Sequence, residues 1–134
     1  MRLEISSELL RQAEAAARAA HPLEACGLLL GHEDKVVELV VARNVALTPQ
    51  THFEVDPAAL IAAHRAARAG GAQVLGNWHS HPLGLARPSA EDARSAAPDG
   101  QFWLILGQNQ AHCWRAVESG LLHGRFEPVA LAVV

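Results

Sequence analysis

The stretch from residue 73 to residue 92 reads QVLGNWHSHPLGLARPSAED, and it joins a strand pattern to two closely spaced histidines. Residues 73–81 predict a short β-strand, along which alternate side chains point to the same side of the sheet. His79 and His81 therefore project together from the end of this strand. After a loop rich in proline and glycine, the pattern predicts a short helix with Asp92 in its first turn.

Two imidazoles and one carboxylate form a ligand set that suits zinc. Three protein ligands leave a fourth coordination position for water, which is typical of catalytic rather than structural zinc sites. We therefore predict that His79, His81 and Asp92 hold one Zn²⁺ per chain. Ser89 lies three residues before Asp92, and we predict that its hydroxyl donates a hydrogen bond to the oxyanion of a hydrolytic reaction.

Outside this stretch, the sequence alternates between helix and strand patterns. Amphipathic helices are predicted over residues 6–20 and 57–70, and two apolar runs on either side of residues 31–35 indicate a β-hairpin. Three further strand candidates follow the short helix: FWLILG (102–107), AHCWRAV (111–117) and LLHGRFEPV (121–129). The pattern predicts a single α/β or α+β domain over residues 1–134, built around a mixed sheet.

The composition argues against several classes of function. Eleven Lys and Arg against 14 Asp and Glu give a formal net charge of -3, whereas a nucleic-acid interface normally needs a basic stripe. The N-terminus lacks the apolar segment of a signal peptide, and no apolar run approaches the roughly 20 residues of a membrane span. We expect a cytoplasmic protein with no nucleic-acid or membrane partner. Cys26 and Cys113 predict two free thiols.

The motif His79-Ser80-His81-Pro82, six residues and then Ser89-x-x-Asp92 resembles the signature of the JAMM (MPN-plus) metallopeptidases, His-x-His-Pro followed by Ser-x-x-Asp. That family also has an upstream glutamate in a Pro-x-Glu-x-Cys-Gly-x-Leu-x-Gly context, and residues 22–31 read PLEACGLLLG. Residues 43–57 are similar to the middle region of the family as well. The resemblance covers nearly the whole chain, and no position of the motif is missing.

This resemblance implies a compact MPN-like domain of the prokaryotic type, with a mixed, mostly antiparallel, curved sheet flanked by helices. It implies that His79, His81 and Asp92 bind zinc. Glu24 resembles the general acid/base, and Ser89 resembles the oxyanion stabiliser. The implied activity is that of a zinc metallopeptidase or isopeptidase, which hydrolyses an amide bond of a protein or peptide, such as one at the C-terminus of a ubiquitin-like sulfur carrier. Small domains of this kind often form homodimers.

Other interpretations of the same residues stay open. Ser89 and Asp92 also fit a helix capping box, and we expect this role to compete with metal binding for the carboxylate. Glu24 also fits an ordinary solvated charge. Cys26 is a candidate nucleophile, although its place in an apolar run favours a buried structural role.

Two alternatives concern the whole protein. One is an MPN-type protein-binding module with little or no catalysis. The other is a non-haem iron oxygenase, since two histidines and a carboxylate also form a facial triad. The helices predicted over residues 6–20 and 57–70 disfavour the oxygenase, because common frameworks of that class are mostly β-barrels.

Overall fold

The computed structural model describes residues 1–134, which form seven strands and three helices. The strands are β1 (Arg2–Ile5), β2 (Cys26–His32), β3 (Lys35–Ala42), β4 (Gln73–His81), β5 (Phe102–Gly107), β6 (Gln110–Gly120) and β7 (Gly124–Val133). The helices are α1 (Ser7–Ala20), α2 (Pro57–Arg68) and α3 (Ala90–Ser95). None of the helices is long and apolar enough to cross a membrane.

All seven strands belong to one sheet with the order β1-β3-β2-β4-β5-β6-β7, and β1 also pairs with β7 to close it. The β4–β5 pair and both β1 pairs are parallel, whereas the other four neighbouring pairs are antiparallel. This arrangement confirms the predicted α+β class with a mixed, mostly antiparallel, curved sheet flanked by helices. The closure of the sheet through β1 was not predicted.

The two long helices form where the sequence predicts them. The Ser6 side chain caps α1 by accepting a hydrogen bond from the Leu9 amide, and Asp56 caps α2 in the same way. The helices cover opposite faces of the sheet, because Leu29 of β2 packs in the α1 cluster and its neighbour Leu28 packs against Ala63 of α2. Both faces of β2 are therefore buried.

Several elements differ from the prediction. The strand β1 was not predicted, because its four residues pair mainly with β7 at the other end of the chain. The last strand begins at Gly124 rather than at residue 121, since His123 adopts a positive φ of 54° within a turn. Helix α3 ends at Ser95, two residues before the end of the helix that the sequence predicts over residues 90–97.

Successive side chains of β4 point to opposite faces of the sheet, and this alternation decides which side chains meet at the end of the strand. Trp78 is fully buried in the core cluster beneath α1. His79 and His81 project to the opposite face, where Trp103 of the neighbouring strand β5 contacts the His79 ring edge-on. The end of β4 thus delivers two imidazoles to a partly enclosed position on the α2 side of the sheet.

Candidate metal centre

The His79 ring is fully buried and is held by aromatic contacts. It stacks on Phe53, with ring centroids 4.1 Å apart and an interplanar angle of 17°, and Trp103 lies edge-on at 5.7 Å. These contacts fix the orientation of the ring and keep solvent from one side of it. The Nδ1 atom of His79 is buried and has no hydrogen-bond partner. Its Nε2 atom is therefore the ring nitrogen that contacts His81 and Asp92.

The tautomer of His81 follows from one contact. Its Nδ1 atom lies 2.8 Å from the carbonyl oxygen of Leu85. Because a carbonyl oxygen only accepts hydrogen bonds, Nδ1 carries the hydrogen, and Nε2 of the neutral ring presents its lone pair. This is the tautomer that a histidine needs in order to bind a metal through Nε2.

Asp92 comes to the histidines from the first turn of α3. Its Oδ2 atom lies 3.2 Å from Nε2 of His79 and 3.2 Å from Nε2 of His81. The same oxygen accepts a hydrogen bond from the Ser89 backbone amide at 2.9 Å, and the Ser89 hydroxyl accepts one from the Asp92 amide at 3.0 Å. The capping box is therefore present, and the oxygen that accepts the Ser89 amide is the same one that faces the two imidazoles.

The three facing atoms have the spacing that a tetrahedral metal requires. The two Nε2 atoms are 3.0 Å apart, and each lies 3.2 Å from Asp92 Oδ2. Zinc–ligand bonds of about 2.0–2.1 Å at tetrahedral angles place neighbouring ligand atoms roughly 3.3 Å apart. The triangle formed by His79, His81 and Asp92 therefore fits a zinc ion with its fourth position open.

The electrostatics of the site favour the metal-binding forms of Asp92 and His79, whereas the hydrogen bonds to Asp92 and to the Leu85 carbonyl outweigh burial and raise the pKa of His81. Burial opposes the ionisation of Asp92, but its hydrogen bonds with His79, His81 and the Ser89 amide hold the pKa of Asp92 well below its usual range. Burial lowers the pKa of His79, so its ring is neutral near pH 7. An ionised carboxylate and a neutral imidazole are the forms that a metal ion binds.

Glu24 reaches the same position from the segment between α1 and β2. Only 6% of this residue is exposed, and its Oε1 atom is buried without a hydrogen-bond partner. A carboxylate oxygen of Glu24 lies within 4.8 Å of ring nitrogens of His79 and His81. Burial raises the pKa of Glu24 to about 7, an effect that the charge of His81 opposes and that of Asp92 reinforces. A carboxyl group with this pKa can both accept and release a proton near pH 7.

Glu91 turns away from the site and pairs with Arg94 and with His52. Asp92 is a better candidate ligand than Glu24, because its Oδ2 atom lies 3.2 Å from the Nε2 atoms of both imidazoles. The structure thus brings together all five predicted site residues.

Residues 44–55 make contacts with the site that the sequence does not predict. Phe53 lies against His79, and the His52 ring lies 3.2 Å from the Glu91 carboxylate. Neither position carries a local pattern that predicts such a contact. Their only signal was the general similarity of residues 43–57 to the middle region of the JAMM family.

Comparison with known families gives a match over most of the chain. Residues 6–118 match the family model described as prokaryotic homologs of the JAB domain. The chain belongs to this family. Over 115 residues, this JAB-domain protein is 33% identical to a desampylase of Haloferax volcanii, a match that covers 82% of the chain and 83% of the relative.

A second relative is a probable TtuB-protein conjugate cleaving protease of Thermus thermophilus. It is 36% identical over 93 residues, which make up 69% of the JAB-domain protein and 57% of the Thermus protein.

Solved structures agree with this assignment. A protein of Desulfitobacterium hafniense superposes on the JAB-domain protein with a TM-score of 0.85 at 29% identity, covering 98% of this chain and 92% of the other. A structure described as JAMM, a metalloprotease-like zinc site in the proteasome and signalosome, gives a TM-score of 0.60 at 27% identity and covers 100% and 99% of the two chains. These matches confirm the predicted JAMM/MPN family and fold.

Two rival interpretations, a cysteine nucleophile and a non-haem iron oxygenase, are disfavoured. Cys26 and Cys113 are buried free thiols, and burial raises the pKa of each to about 12. A thiol of this kind stays protonated near pH 7 and is a poor nucleophile. The match of residues 6–118 to the JAB-domain family disfavours the non-haem iron oxygenase.

Proposed function

We propose that this JAB-domain protein is a zinc-dependent isopeptidase that hydrolyses the amide bond between a ubiquitin-like carrier protein and the protein conjugated to it. The observation that carries the proposal is the convergence of His79 Nε2, His81 Nε2 and Asp92 Oδ2 within 3.2 Å of one another. A second carboxylate, that of Glu24, lies buried beside them.

In this proposal, His79, His81 and Asp92 hold the zinc ion. When bound, zinc supplies Lewis acidity and makes a water acidic enough to act as a nucleophile near pH 7. The hydrogen bond from His81 Nδ1 to the Leu85 carbonyl keeps that ring in the metal-binding tautomer. The Ser89 amide, which donates to Asp92 Oδ2 at 2.9 Å, orients the carboxylate.

Glu24 moves the proton. Its carboxylate accepts a proton from the water as the new C–O bond forms and the carbonyl oxygen becomes an oxyanion. Glu24 then passes the proton to the amine nitrogen, and the C–N bond breaks as the carbonyl re-forms. The burial of the carboxylate without a fixed partner for Oε1 supports this role, and in the metal-free protein burial raises its pKa to about 7. A group with a pKa far from 7 would perform one of the two transfers poorly.

Ser89 stabilises the oxyanion that develops on the scissile carbonyl. Its hydroxyl oxygen accepts the Asp92 amide hydrogen at 3.0 Å, which leaves the hydroxyl hydrogen free to be donated. A fixed donor of this kind lowers the barrier because it faces the charge that forms in the transition state. Phe53 and Trp103 shield His79 from solvent, which strengthens these electrostatic interactions.

The substrate class rests on the relatives. One is a desampylase, and another is a probable protease that cleaves conjugates of TtuB with proteins. Both names point to hydrolysis at a junction with a second protein. The resemblance to compact JAMM members supports a small ubiquitin-like carrier as the partner.

The test is cleavage of a defined conjugate in which the C-terminus of a ubiquitin-like carrier is joined to a lysine side chain of a second protein. Mass spectrometry of the products is expected to show the intact carrier and the free lysine amine, with activity lost on chelation and restored by zinc. A carrier extended by a linear peptide distinguishes isopeptide from peptide-bond specificity. Stoichiometric zinc and tight binding of the conjugate without release of either product would contradict the proposal and favour the binding-module interpretation.

A further inference from the structure

One loop, residues 44–55, packs against the candidate site, and we call it the Asn44 loop. Its Phe53 stacks on His79 at 4.1 Å between ring centroids. Its His52 lies 3.2 Å from the carboxylate of Glu91 in α3. The loop therefore contacts one metal-ligand candidate directly and also the helix that supplies another.

The backbone on both sides of Glu24 is held by side chains and by this loop rather than by regular secondary structure. The Glu24 amide donates to the Pro49 carbonyl at 2.8 Å, and the Glu24 carbonyl accepts from Asn44 Nδ2 at 3.0 Å. The next amide, that of Ala25, donates to the Ser80 hydroxyl at 2.9 Å. Two of these three contacts come from the Asn44 loop, so the position of Glu24 depends on the conformation of the loop.

Asn44 uses its full hydrogen-bonding capacity. Its Nδ2 atom donates to the carbonyls of Glu24 (3.0 Å) and His52 (2.9 Å), and its Oδ1 atom accepts from the amides of Ala46 and Glu54, each at 3.1 Å. A primary amide has two hydrogens to donate and two lone pairs to accept with, and all four are engaged here. Asn44 thereby joins both ends of its loop to the residue that carries the proposed base.

We propose that Asn44 is a positioning residue that acts through Glu24. The inference rests on the proposed function, since it assigns a role within that reaction. The donor half of the amide fixes the Glu24 carbonyl, and the acceptor half shapes the loop around its Ala46 and Glu54 amides. Without the donor half, the Glu24 backbone loses a buried hydrogen bond, and its carboxylate is no longer held in one place beside the two imidazoles.

Kinetics on three variants test the role. Asn44→Ala removes all four contacts, Asn44→Asp keeps the two acceptor contacts and loses both donor contacts, and Gln50→Ala is a control at an exposed position of the same loop. Both Asn44 variants are expected to keep their zinc and to lose about 10- to 100-fold in kcat, the usual effect of removing a supporting contact, with little change in KM. In a Glu24→Gln background, Asn44→Ala is expected to change kcat by less than about twofold, because the group it positions is already absent.

Hydrogen exchange provides a readout that does not depend on activity. In the zinc-free protein, Asn44→Ala is expected to speed amide exchange at Glu24, Ala46 and Glu54 by about tenfold or more, which corresponds to the loss of roughly one net hydrogen bond. Asn44→Asp is expected to leave Ala46 and Glu54 unchanged, because an oxygen still accepts from these two amides. It is expected to speed exchange at Glu24 through the backbone, since loss of the Asn44 contact to the Glu24 carbonyl loosens the adjacent Glu24 amide, which donates to Pro49. Gln50→Ala is expected to leave all three unchanged.

The outcomes separate this inference from the proposed function. Unchanged exchange at Glu24 in both Asn44 variants would overturn the inference, and so would an equal loss of kcat in the wild-type and Glu24→Gln backgrounds. If the wild type cleaves no conjugate, the proposed function fails, while the exchange data still decide whether Asn44 holds Glu24. If Asn44→Ala does not fold, Asn44→Asp carries both arms of the test.

Discussion

Replacing Glu24 with Gln is expected to abolish most of the activity and at the same time to stabilise the zinc-free protein. The substitution exchanges a buried carboxylate for a neutral group of nearly the same shape. Only 6% of Glu24 is exposed, and its Oε1 atom has no hydrogen-bond partner. The negative charge of Glu24 therefore supports the proposed reaction but lowers the stability of the folded protein.

The size of both effects follows from the site. Loss of a general acid/base lowers kcat by about 10²- to 10⁴-fold. Burial raises the pKa of Glu24 from 4.5 to about 7, so the folded state binds the proton more tightly than the unfolded state does. The wild type then loses stability as the pH rises from 4.5 towards 7, and the loss is complete above pH 7.

A pKa change of one unit corresponds to about 1.4 kcal/mol, which sets an upper limit of about 3 kcal/mol for this loss. Relaxation of the protein around the buried charge reduces the expected value to about 1–2 kcal/mol. The Gln variant does not titrate at this position, so it escapes the loss.

Urea unfolding of the chelator-treated proteins at pH 5 and pH 8 measures the stability effect, and single-turnover cleavage by the zinc-loaded proteins measures the rate. The Gln variant is expected to gain about 1–2 kcal/mol over the wild type at pH 8 and much less at pH 5. Glu38→Gln, at an exposed position of β3, is the matched control and is expected to change neither quantity. Turnover like that of the wild type, or a stability difference that is the same at both pH values, would refute the role of Glu24.

Two further expectations concern Ser89 and the cysteines. Ser89→Ala removes both the α3 N-cap and the proposed oxyanion donor. It is expected to lower the free energy of unfolding by about 1 kcal/mol and to lower kcat by roughly 10²- to 10³-fold. An unchanged kcat would argue against the donor role. Because burial raises the pKa of Cys26 and Cys113 to about 12, both thiols are expected to resist an aromatic disulfide reagent at pH 8 in the native protein and to react once it is unfolded. Rapid reaction of the native protein would show that a thiol is accessible.

The site could be predicted from sequence because its spacing has a direct structural meaning. Two histidines that lie two positions apart at a strand end must point to the same side. The Ser89-x-x-Asp92 spacing sets both residues at the start of a helix, where the capping box holds them. Glu24 lies 55 residues before His79, and only the family resemblance identified it. No periodicity links these two parts of the chain.

The remaining features depend on contacts between distant segments. Strand β1 is four residues long and pairs with the last strand of the chain, so its sequence alone carries little signal. The role of Asn44 could not be predicted from the sequence for a related reason, since its partners are backbone groups at positions 24, 46, 52 and 54. Every residue other than proline carries both kinds of backbone group, so the sequence of the partners gives no indication of the contact.

Zinc content, measured on protein purified without added metal, tests the metal centre most directly. The wild type is expected to contain about one zinc ion per chain, and His81→Ala is expected to lose it, since two remaining protein ligands do not make a stable zinc site. His64→Ala, at an exposed histidine of α2, is the matched control and is expected to keep the ion. A folded wild type that contains no zinc and takes none up when it is offered would contradict the assignment, as would a His81→Ala variant that retains zinc at the level of the wild type.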